Sequence, residues 1–112
     1  MHNLGLIYYD TENYEKAATA FQQALKLDNQ LASRHLAYAK VQEKLGNVKL
    51  TISELNKAVE LEPNRETYNL LYKTYITNNM HQEAEALKKK LRRKLLRNQR
   101  VVKLKRPKKA II

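Results

Sequence analysis

The stretch from Asn13 to Asp28 returns 34 residues later as Asn47 to Glu62. Asn13 maps onto Asn47, Phe21 onto Leu55, Ala24 onto Ala58 and Leu27 onto Leu61. A self-similar unit of that length, holding two amphipathic helices, is the signature of a stacked helical array. An array builds its core unit by unit, so 112 residues make one domain without a single centre. Such arrays present concave surfaces to partners and rarely carry chemistry, which constrains function together with fold.

Small and large residues alternate at matched positions. The first unit has Leu4, Gly5, Tyr8, Ala17, Phe21 and Ala24; the second has Tyr38, Ala39, Thr51, Leu55, Ala58 and Pro63. The third has Tyr68, Leu71, Tyr75 and Ala84, one residue short of the ideal spacing. These residues resemble the tetratricopeptide repeat family, with about three units. The resemblance implies an all-α fold, an α-solenoid of antiparallel helix hairpins, here with an extended basic C-terminal helix.

Turn and cap signals place the elements. A short helix is expected through Tyr9, a second from about Tyr14 to Leu27, then 31–45, 49–61 and 65–78. Gly46-Asn47 marks a turn, Pro63 a stop and Asn64 a cap. Asn13, Asn47 and Asn79 are expected to N-cap the second helix of each unit, with Gln82 completing a capping box at Asn79. The last helix is expected from Met80 to about Lys105, ended by Pro107, and longer than about 35 Å. Leu87, Leu91, Leu95 and Val102 form its apolar stripe. In the third unit Tyr72 falls where Gly5 and Ala39 stood, and Lys88 where Phe21 and Leu55 stood. The last helix pair should therefore splay, or its second helix should leave the packed register early. Both ends of the array read as open, so a partner or further chain is expected to cover them.

Charge divides the chain. Residues 1–87 hold 9 Lys/Arg and 11 Asp/Glu, net −2; residues 88–112 hold 13 Lys/Arg and no acid, net +13. The expected division is a repeat domain over 1–87 and a basic helix and tail over 88–112. The absence of cysteine excludes disulfides and thiol chemistry, and no signal-peptide or membrane-spanning run is visible. A soluble, intracellular protein is expected, cytoplasmic or, given the basic run 103–109, nuclear.

Catalysis finds no constellation to support it. His2, His35 and His81 lie on different helices, with no paired carboxylates, nucleophile motif or glycine-rich phosphate loop nearby. No cofactor or metal is expected, and His35 reads as a core histidine. The family resemblance instead implies a groove for a protein partner, lined by the first helix of each unit. Carried over by position, that groove comprises His2, Leu6, Tyr9 and Asp10, then Ser33, Leu36, Lys40, Glu43 and Lys44, then Asn69, Lys73 and Ile76. Leu6 stands where the family's carboxylate clamp needs Asn, so capture of a chaperone tail is unsupported. The thirteen cations form a second candidate site for RNA, a ribosomal surface or another polyanion: Lys88, Lys89, Lys90, Arg92, Arg93, Lys94, Arg97, Arg100, Lys103, Lys105, Arg106, Lys108 and Lys109. The resulting expectation is a non-enzymatic adaptor or scaffold that docks to an anionic partner through its tail. The alternatives are an RNA- or ribosome-associated protein and a structural subunit of a large assembly.

Overall fold

The computed structural model describes residues 1–105, with side chains as far as residue 94. Six helices and no strand make up the described residues: α1 (His2–Asp10), α2 (Tyr14–Leu27), α3 (Ala32–Leu45), α4 (Val48–Leu61), α5 (Arg65–Thr77) and α6 (His81–Lys105). They pair in sequence as three hairpins, each stacked on the next. Of the thirteen cations, Arg106, Lys108 and Lys109 lie outside the described residues, as does the stop expected at Pro107.

All three hairpins turn in the same way. Glu12 (φ 61°), Gly46 (φ 83°) and Asn79 (φ 59°) adopt the left-handed conformation. In the middle turn the Gly46 N–H donates to the Glu43 carbonyl (3.2 Å) and the Asn47 N–H to the Gln42 carbonyl (2.9 Å). Glu12 and Asn13 repeat that pattern on Tyr9 and Tyr8, and Asn79 and Met80 repeat it on Ile76 and Tyr75. Each is a Schellman motif, which satisfies carbonyls that a helix end otherwise leaves unpaired. Gly46 reaches this conformation without strain, whereas Glu12 holds it at the roughly 1–2 kcal/mol a Cβ adds there.

This register corrects the expected caps. Asn79 is the left-handed turn residue, equivalent to Gly46, so Met80 takes the place of Asn13 and Asn47 and no capping box forms from Asn79 to Gln82. The Ala84 N–H donates to the Met80 carbonyl (3.0 Å) as Ala17 does to Asn13 and Thr51 to Asn47. Asn13 and Asn47 begin their helices, but neither side chain caps. Their ψ angles, 68° and 80°, fall short of the extended backbone that aims a cap at the following amides. The Asn47 amide instead donates to Gln42 Oε1 (2.6 Å). Asn64, with ψ 134°, does cap: its Oδ1 accepts from the Glu66 N–H at 2.8 Å.

Packing inside each hairpin follows side-chain size. Gly5 is buried against Phe21, and a Cβ at Gly5 would lie 2.5 Å from that ring. Ala39 and Leu55, fully buried, take the same roles in the second hairpin. The third has no such pair. Tyr72 is half-buried, Lys88 is exposed, and the ammonium of Lys88 lies 5.6 Å from the Tyr72 ring centre. Consistent with the sequence expectation, α5 and α6 make the least close contact of the three pairs, and among the described residues of α6 Ala84, Leu87 and Leu91 join the core. The core is correspondingly divided, one cluster around Phe21 and Val41 and another around Leu55 and Leu71.

A buried polar contact crosses the second hairpin. His35 Nδ1 lies 2.6 Å from Glu54 Oε2, and both side chains are almost fully enclosed. Its Nε2 donates to the Asn29 carbonyl (2.8 Å), since a carbonyl can only accept. Arg34 donates to the Ala24 carbonyl at the end of α2 (2.6 Å) and to the Asp28 carbonyl (3.4 Å), so two adjacent α3 residues fasten the loop that precedes them. Burial, reinforced by the Glu54 charge, raises the Tyr38 phenol above its usual range.

Two predictions test the packing. Gly5→Ala adds about 1 kcal/mol of helix propensity but forces Phe21 to move, at about 1–3 kcal/mol, so a net loss is expected in thermal melts. Adding Phe21→Leu should restore part of it; a stabilised single variant would show that the contact is not tight. Ala24→Leu and Ala58→Leu, both at buried positions, should each cost about 1–3 kcal/mol by overpacking. Melts and circular dichroism indistinguishable from the parent would refute close packing there.

Candidate partner-binding groove

Residues four and seven apart share a helix face, so His2, Leu6 and Tyr9 lie along one side of α1 and Ser33, Leu36 and Lys40 along one side of α3. The stacking of the first two hairpins turns these sides toward one another. His2, Leu6, Tyr9, Ser33, Leu36 and Lys40, with Phe21 and Ala37, line a cavity of about 170 Å³. Phe21 forms part of the wall because Gly5 lets its ring cross between α1 and α2. Its ring also packs on His2, with centroids 5.4 Å apart and planes tilted by 52°.

The remaining groove positions lie elsewhere. Asp10, Glu43, Lys44, Asn69, Lys73 and Ile76 are exposed and outside the cavity. Three residues of this region escaped the sequence reading. Phe21 and Ala37 belong to the walls, and Glu66 reaches from α5 to Lys40, with Oε1 2.9 Å from Nζ. Glu66 was open to discovery, because it stands 33 residues after Ser33 and three before Asn69 on the same face of α5.

Electrostatically the cavity is mixed. His2 Nδ1 is buried and has no hydrogen-bond partner among the described residues. Burial, then the Arg34 guanidinium, then the N-terminal ammonium hold the His2 imidazole below its ordinary value of 6.5. Lys40 is the charged residue of the lining. Among the described residues no three His, Asp or Glu gather as a metal site.

The second candidate site is spread along α6. Lys89, Lys90, Arg92 and Arg93 are exposed, as is Lys88 beside Tyr72. Lys94 is half-buried and donates to the Tyr68 hydroxyl (3.1 Å), its ammonium 5.7 Å from that ring's centre. Arg97, Arg100, Lys103 and Lys105 lie on the helix, but their side chains, like those of Leu95 and Val102, are outside the described residues.

Comparison with known proteins agrees with this architecture. The tetratricopeptide repeat family model matches residues 1–62, just over half of the chain. The chain belongs to the tetratricopeptide repeat family. Among solved structures, the Yersinia enterocolitica type III secretion translocator chaperone SycD is similar, with a TM-score of 0.71 at 18% identity. The match covers 77% of this chain and 60% of that one, so this repeat protein spans under two thirds of the chaperone's length. At that identity the likeness speaks for the fold. No curated protein matches the chain by sequence. No helix among the described residues is long and apolar enough to cross a membrane.

The state of His2 carries a pH prediction. The folded chain holds the His2 proton less readily than the unfolded chain does. Stability therefore rises with pH up to about 6.5 and falls below it, as protons favour the unfolded state. His2→Phe should narrow the difference in Tm between about pH 5 and about pH 7.5. An unchanged difference would exclude His2 as a source of acid sensitivity.

Proposed function

We propose that this protein is a non-enzymatic adaptor whose first-helix groove holds a protein segment and whose basic C-terminal segment docks on an anionic surface. The gathering of His2, Leu6, Tyr9, Ser33, Leu36 and Lys40 around one largely apolar cavity supports the groove. Cavities that combine apolar walls with a few polar groups are where specific contacts concentrate. The functional division between residues 1–87 and 88–112 then falls within α6, where acid gives way to uninterrupted base. An intracellular setting, cytoplasmic or nuclear, suits both activities. Exposed Met1, Leu4 and Ile7, beside a second cavity of about 450 Å³ on α1 and α2, favour a place in a larger assembly.

The test is recovery of partners from native lysate with the parent and with Leu6→Arg, each with and without nuclease. Leu6 is already 42% exposed, so its replacement should spare the fold. Partners that survive nuclease and disappear with Leu6→Arg are the expected result. Recovery independent of Leu6 would remove the groove from the reading.

A second reading, an RNA- or ribosome-associated protein, is favoured by the exposed cluster Lys89, Lys90, Arg92 and Arg93. Changing these four to Gln, while retaining the tyrosine-paired Lys88 and Lys94, should weaken RNA binding without loosening α6. The slope of log affinity against log salt should become shallower by about 3, at about 0.7 per single-strand contact. Fluorescence anisotropy over a salt series measures it. An unchanged slope would show that the described part of α6 does not meet phosphates.

A further inference from the structure

We propose that the groove selects a peptide with one apolar anchor residue and an adjacent acidic residue, and that Glu66 is a built-in stand-in for that acid. The inference rests on the groove reading above and specifies its ligand. A cavity of about 170 Å³ is close to the roughly 150 Å³ void that accepts one benzene ring. It therefore takes a single aromatic or branched aliphatic side chain between Leu6, Leu36 and Phe21. Lys40 supplies the charge at this wall, and it already holds a carboxylate.

That carboxylate belongs to another hairpin. Glu66 lies in the first turn of α5, on the same face as Asn69, Lys73 and Ile76, and reaches Lys40 of α3 at 2.9 Å. The pair is solvent-exposed, with Lys40 at 37% and Glu66 at 64% side-chain exposure. Exposed pairs contribute little, so an incoming carboxylate exchanges with Glu66 at small cost. When it does, Glu66 returns to water and Lys40 keeps a partner. The buried, unpaired Nδ1 of His2 offers a second polar contact on the cavity lining.

A random peptide library displayed on phage, selected against the full chain with excess polyphosphate to occupy the C-terminal cations, tests this. The expected peptides carry an apolar residue with Asp or Glu within about two positions, an extended-segment spacing. Selection against Lys40→Gln should keep the apolar residue and lose the acidic one. For a recovered peptide, Glu66→Gln should raise affinity about two- to fivefold, the range for losing an exposed competing pair. In the Lys40→Gln background Glu66→Gln should have no effect. Acid preference that survives Lys40→Gln, or a Glu66→Gln variant with parental affinity, would overturn the stand-in role. Failure to recover any peptide would also count against it. Leu6→Arg separates the two levels: if recovered peptides bind it as well as the parent, the groove reading itself fails. Far-ultraviolet circular dichroism of each variant confirms that the fold is retained.

Discussion

The distance between paired helices governs this molecule. Where a residue without bulk faces a large one, as Gly5 faces Phe21 and Ala39 accompanies Leu55, two helices can meet closely. That approach sets where the first helices lie and so creates the space between α1 and α3. Phe21 shows the connection, since one ring fills the α1–α2 seam and walls the cavity beyond it. In the third hairpin the rule lapses. Tyr72 and Lys88 cannot close on one another as Gly5 and Phe21 do, and most of the α6 side chains described, residues 81–94, are exposed.

A second constraint is register. The left-handed residues Glu12, Gly46 and Asn79 are 34 and 33 residues apart. The lost residue can be placed: four residues join α2 to α3, while three, Glu62, Pro63 and Asn64, join α4 to α5. The longer loop is tied down by Arg34 at Asp28 and His35 at Asn29, and the shorter one is stiffened by Pro63 and ended by the Asn64 cap. The third unit is thus shortened outside its helices, which preserves the stacking face of α5 on α4.

The fold was legible because its main signals are local or periodic. Helix identity follows from apolar spacing, and the hairpin pairing follows from the repeat. The caps were misread for a reason the chain itself contains: Asn is equally at home as an N-cap and in the left-handed conformation, so Asn79 carries both signals. Only the backbone angles separate Asn64, which caps, from Asn13 and Asn47, which do not. The His35–Glu54 pair was not legible. Its members are 19 residues apart, and the repeat places Ala20 where Glu54 stands, so no periodic signal marks it. Six of the twelve positions expected to line a groove border one cavity, and the cavity itself was not legible, because Phe21 and Ala37 belong to the packing pattern. The Lys40–Glu66 pair depends on the stacking of separate hairpins, which a single unit does not encode.

The same departure of α6 joins the array to its polycation. Like charges four apart on this helix, such as Lys88 with Arg92 and Lys90 with Lys94, each oppose it by about 0.2–0.5 kcal/mol. The packed face of α5 answers with aromatic rings. Lys88 rests by Tyr72 and Lys94 by Tyr68, an arrangement in which a ring face attracts a cation without neutralising it. Carboxylates at those places would have cancelled charge, whereas a tyrosine face holds the helix without removing it. Glu85, about 4.0 Å from Lys88, stands before the uninterrupted basic run begins. Beyond it no acid follows in the sequence, so the charge from Lys88 onward is entirely positive.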